Sequence, residues 1–112
     1  MKELKELYRA NHKFFSEEID SLEKELLNDK WPEEKVKPLI TILKTGLMKN
    51  EFFLVNGDVH ISTFNIICFK IRDKTDIPIE QVKECIRMIL DAMGYKIIGS
   101  TLDTLNVPME ED

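Results

Sequence analysis

Ile79, Val82, Ile86, Ile89 and Met93 step along the chain by 3, 4, 3 and 4 residues, and this stretch constrains the fold most tightly. The spacing puts all five on one stripe of an α-helix, which must be buried against another element. Both ends are marked. Pro78 suits a first helical turn, where its missing N–H costs nothing, and Glu80 sets a carboxylate near the positive end of the helix dipole. Gly94 stands where a left-handed residue ends a helix.

The neighbouring segments read outward from this helix. Asp73 to Pro78, DKTDIP, is a polar turn. Before it, Ser62 is placed to N-cap a helix over 63–73, with Phe64, Ile67, Cys68 and Ile71 at helical spacing. Ile66 and Phe69 add apolar residues off that face, so the segment reads as a buried helix. A third strand extending an Asn56-Gly57 hairpin is the alternative. That hairpin would lie in Phe52–Ile61, where Asn-Gly separates two β-prone runs, or be partial with only Val59–Ile61 joining later strands. His60 alternates away from Val59 and Ile61 and is expected to face solvent. After Gly94, Tyr95–Ile98 and Leu105–Val107 can pair as strands across Gly99–Asp103, and an acidic tail, PMEED, closes the chain.

The first half reads as helix. Residues 2–28 hold neither Gly nor Pro, and Tyr8, Phe15 and Leu22 recur every seven residues, with Ile19 and Leu26 in a second row. A long amphipathic helix over 1–30 is expected, its stripe of Tyr8, Phe15, Ile19, Leu22 and Leu26 either packing along its own domain or pairing with a second copy. His12, in the same rows, reads as a packing residue. Asn28 or Asp29 is placed to end this helix, with Trp31 a core cap or an exposed anchor at the junction. A second helix over 33–50 presents Val36, Leu39, Ile40, Leu43 and Leu47. Pro38 inside it implies either a later start, near Lys37, or a kink.

The order of Ser62 opening one helix, Ile77-Pro78 entering the next and Met93-Gly94-Tyr95 leaving into a strand resembles that of winged helix-turn-helix domains as a class, over about residues 33–107. The resemblance implies an α+β, mostly α fold: the long N-terminal helix, a winged-helix-like body over 31–108 with a small β-sheet, and a tail over 109–112, all in one domain. It also implies a second helix lying in the major groove, where Gln81 and Arg87 would read base edges and Lys83 a phosphate. The function expected on that basis is a small dimeric DNA-binding transcription regulator of viral or mobile-element type. The alternative is a protein–protein interaction module, an assembly subunit or inhibitor of a larger complex, built on the same fold without DNA contact.

Charge bears on that choice. The net charge is −5, with ten bases against eleven acids up to Gly57 and six against ten from Asp58 onward. Duplex binding needs a local cluster of Lys and Arg, yet Glu80, Glu84 and Asp91 share the exposed side of the second helix, and Gly99–Asp103 contains no base. DNA and a protein partner are both kept as expectations. Cys68 and Cys85 each sit in an apolar helical pattern and read as buried reduced thiols rather than a disulfide or metal pair. No phosphate-binding glycine loop, zinc-ligand spacing or catalytic triad pattern is present, so no enzyme, metal or cofactor is expected. No apolar run nears the roughly 20 residues of a membrane helix and the N-terminus lacks a signal-peptide core, so a cytoplasmic, or in a eukaryote nuclear, location is expected.

Overall fold

The computed structural model describes residues 2–47 and 57–99. Among the described residues, five α-helices and two short strands follow in the order α1 (Leu4–Ala10), a 3-10 turn (His12–Phe15), α2 (Ile19–Asn28), α3 (Glu33–Lys44), β1 (Asp58–His60), α4 (Ile61–Thr75), α5 (Ile79–Met93) and β2 (Lys96–Ile98). The fold is therefore α+β and mostly α.

The single long helix expected at the N-terminus is instead bent into α1, the 3-10 turn and α2. Asn11 is the agent. Its backbone is extended (φ −155°, ψ 100°), ending α1, and its side chain accepts from the Lys13 N–H at 3.0 Å. Its amide then donates to Glu18 Oε1 at 2.8 Å, at the entry to α2, while the Lys13 carbonyl accepts the N–H groups of Ser16, Glu17 and Glu18. A straight helix of this length would run about 40 Å. The bend folds it back, so that α1 lies on α5 while α2 lies on α3. Phe15, Ile19, Leu22 and Leu26 enter the core, joined by Leu4 and Leu7, and Tyr8 packs partly buried against it. Four of the five stripe residues are thus buried within this chain, with Tyr8 partly so.

The helix ends follow local chemistry, with one departure from expectation, at α4. α2 runs to Asn28 with Asp29 as its C-cap, as expected, and the left-handed residue that completes its terminator is Lys30, at φ +70°. The Trp31 N–H donates to the Leu26 carbonyl (3.0 Å) and the Lys30 N–H to that of Leu27 (3.1 Å), the double hydrogen bond of a Schellman ending. Trp31 caps the junction, half-buried, its indole N–H donating to the Lys2 carbonyl at 3.1 Å. α4 opens at Ile61, and its cap is His60 rather than Ser62: the imidazole Nδ1 accepts from the Ser62 N–H at 3.1 Å. Pro38 lies within α3, which runs through it. The hydrogen bond lost there would have reached Glu34, an exposed residue whose carbonyl water can serve.

α4 is a helix, which removes the strand alternative. The turn after it is closed by Asp76 in the left-handed region (φ +61°), and α5 ends on Gly94 (φ +87°) with the same pair of bonds as α2: Tyr95 N–H to Leu90 O at 2.9 Å and Gly94 N–H to Asp91 O at 3.0 Å. β1 and β2 then pair in parallel, Val59 opposite Ile97, with α4 and α5 as the crossover that parallel strands require. Behind them Phe64, Ile67, Ile71, Ile86, Ile89 and Leu90 form the centre of the core with α3. Phe52–Asn56, the strand over Leu105–Val107, the rest of the Gly99–Asp103 turn and the acidic tail lie outside the described residues. The expected pairing of Tyr95–Ile98 with Leu105–Val107, on which the winged-helix resemblance depends, therefore falls partly outside them.

Candidate interaction surface on α4 and α5

α4 buries Phe64, Ile67, Cys68 and Ile71, the positions its helical spacing selects. Ile66 and Phe69 point the other way. Ile66 is 53% and Phe69 43% exposed, one helical turn apart, although the density of apolar residues in this segment suggests a helix enclosed on every side. The Arg72 guanidinium lies 4.9 Å from the Phe69 ring centroid, close enough for a cation–π contact. It also meets one Asp73 carboxylate oxygen, from Nη2 at 3.1 Å and from Nε at 3.3 Å. These two apolar side chains with a cation at their edge were not singled out as a surface by sequence reasoning; their angular offset from Phe64 and Ile67 was the available signal.

α5 distributes the residues expected to contact DNA over different faces. Gln81 is half-buried and lines a small groove between α3 and α5 with Lys35, Pro38, Glu84, Cys85 and Met88. Lys83 and Arg87 turn the opposite way, toward α4. Arg87 lies 5.2 Å from the buried Phe64 ring, and both cations are near enough to Cys68 to favour its thiolate. The outward ridge of α5 carries Glu80, Glu84 and Asp91, with Arg87 at its edge toward α4, all exposed. Three carboxylates share it with one guanidinium. Lys83 and Arg87 are thus brought together, Gln81 is kept apart, and the exposed ridge itself is acidic. Over 57–99 acids and bases balance at six each; the acidic excess of the second half resides in Asp103, Glu110, Glu111 and Asp112.

The remaining reactive side chains have structural surroundings. Cys68 and Cys85 are free and buried, and burial pushes their thiols up to about 12 and about 11. Lys83 and Arg87 partly oppose that rise at Cys68, while Glu84 adds to it at Cys85. Thiols so protonated are poor nucleophiles. His12 stacks on Tyr8, with ring centroids 4.5 Å apart and planes at 13°, and Tyr8 in turn meets Phe15 at 4.7 Å. A groove of about 230 Å³ opens beside Trp31, lined by Leu4, Lys5, Met88 and Asp91 among others. Among the described residues no group of three or more His, Cys, Asp or Glu is placed to hold a metal ion, and no helix is long and apolar enough to cross a membrane. No protein-family model matches the chain, and neither a curated protein nor a solved structure does.

Proposed function

We propose that this chain is a non-catalytic protein-interaction module that docks a partner on the outward face of α4. The observation that carries this reading is the exposed Ile66–Phe69 pair on a helix whose opposite face is buried in the core. Covering the remaining exposed part of each side chain is worth roughly 1 kcal/mol, so the pair can anchor a contact without being needed for folding. DNA binding through α5 is the less favoured reading, because Glu80, Glu84 and Asp91 would face phosphates while Lys83 and Arg87 lean toward α4. The test is site-specific photocrosslinking of the full chain in its source cells. A photoreactive residue at Phe69 is expected to yield a protein adduct that Ile66→Asp suppresses, and one at exposed Glu17 on the far part of the chain is expected to yield none. Adducts to nucleic acid only, or equal yields from both positions, would reject the reading.

A further inference from the structure

His60 ends β1 and caps α4, so one side chain stands where sheet and helix meet. Its Nδ1 accepts the Ser62 N–H at 3.1 Å and lies 2.8 Å from the Ser62 hydroxyl oxygen. Gly99, the first residue past β2, closes the other side of the ring: a Cβ there would approach Nε2 to 2.5 Å. The imidazole is therefore held between the first turn of α4 and the end of β2. Helix N-caps are ordinarily Ser, Thr, Asp or Asn, whose side-chain oxygens go on accepting throughout the physiological pH range. An imidazole accepts on Nδ1 only while neutral, with its proton on Nε2.

We infer that His60 is a proton-operated latch: neutral, it caps α4 against the end of β2; protonated, it lets the first turn of α4 open. A proton on Nδ1 removes the lone pair and sets one N–H against another. It also places a positive charge at the positive end of the α4 dipole. The Ser62 hydroxyl oxygen can accept the new N–H across the 2.8 Å already present, but the Ser62 backbone N–H is left without its acceptor. Among the described residues, few charges bear on the ring. Asp58, two residues back on the same exposed side of β1, favours the cation, and Lys96, opposite Asp58 in β2, offsets it. Ile98 stands opposite His60, and α4 carries no charged side chain before Lys70. The cap is thus present above the ordinary imidazole range, at about pH 6.5, and lost as pH falls through it. The latch does not depend on what α4 docks.

The test is amide hydrogen exchange of the full chain at about pH 7.5 and about pH 5.5, each rate expressed as protection relative to an unfolded chain at the same pH. Protection over residues 62–64 is expected to fall about fivefold at the lower pH, the loss of one N-cap, while residues 82–90 of α5 keep theirs. His60→Asn, whose amide oxygen accepts at both pH values, is expected to hold the first turn of α4 unchanged. His60→Ala is expected to show the low protection at both. His12, stacked on Tyr8 within the 3-10 turn, is the internal control, and His12→Asn is expected to leave the fall in place. Nitrogen NMR of the parent at the higher pH is expected to find the His60 proton on Nε2. The opposite tautomer, constant protection in the parent, the same fall in His60→Asn, or an equal fall over residues 82–90 would each overturn the latch.

Discussion

At the scale of single residues, two backbone positions in the left-handed region give opposite answers to substitution. Lys30 sits there at φ +70° with an exposed side chain, in the terminator of α2. An L-residue there carries a strain of about 1–2 kcal/mol, part of which glycine would return as freedom of the unfolded chain. Lys30→Gly is therefore expected to stabilise by about 0.5–1 kcal/mol, read as a rise in the urea midpoint. Gly99 is the opposite case. It has φ +73°, and a Cβ there would approach His60 Nε2 to 2.5 Å. The imidazole can swing away only by giving up its cap on the Ser62 N–H. Gly99→Ala is expected to destabilise by about 2 kcal/mol, and the same measurement would expose the error if the midpoint did not fall. The Gly94 terminator was legible in the sequence because glycine advertises a left-handed turn. Lys30 advertises nothing, since the strain it bears is offset by two backbone hydrogen bonds and the burial of the helix it ends.

At the scale of elements, α4 is the informative case. Its helical spacing separates an inward set from Ile66 and Phe69, and substitution is expected to report that division. Ile67→Ala should cost about 2–5 kcal/mol by opening a cavity in the core. Ile66→Ala should stay within about 1 kcal/mol of the parent in the same denaturation experiment, because half of that side chain already meets water. Equal losses would mean that the two faces are not distinguished. The helical spacing of α4 was readable. The exposure of its second apolar face was not, because an all-round apolar helix ordinarily implies burial on all sides. The N-terminal helix shows the converse. Its heptads and propensity describe one rod, yet Asn11 breaks it, since the bend lets α1 and α2 cover different helices. Asparagine within a good helical run was the local sign of that break.

At the scale of the whole molecule, the thiols and the N-terminal stripe make the predictions. Cys68 and Cys85 titrate above their ordinary value of 9.0 in the fold, so between about pH 9 and 11 the folded chain binds more protons than the unfolded one. Stability must then fall as pH rises through that window, by up to about 1.4 kcal/mol per pH unit for each thiol. Unfolding in urea at pH 8 and pH 10 should show the loss, and Cys68→Ala with Cys85→Ala should remove much of the pH dependence while lowering the overall stability. With Phe15, Ile19, Leu22 and Leu26 buried in their own domain, the isolated chain is expected to sediment as a monomer of 13.1 kDa. A stable dimer at micromolar concentration would show that another face pairs. Lys44 and Asp20, 2.8 Å apart, tie α3 to α2 on an exposed surface and hold the Asp20 carboxyl below the usual range. Such a pair is screened by salt and adds little.

By itself the sequence determined where the strongest helix begins and ends, that α4 precedes it across a polar turn, and which side chains fill most of the core. Those features follow from local backbone chemistry and from the 3.6-residue period, and both are written in neighbouring residues. Tertiary structure decided the bend at Asn11, the His60 cap, the parallel pairing of β1 with β2, and the separation of Gln81 from Lys83 and Arg87. Each depends on which distant surface a segment must cover. Ile66 and Phe69 look like core until the packing of α4 on α3 and α5 leaves them outside it.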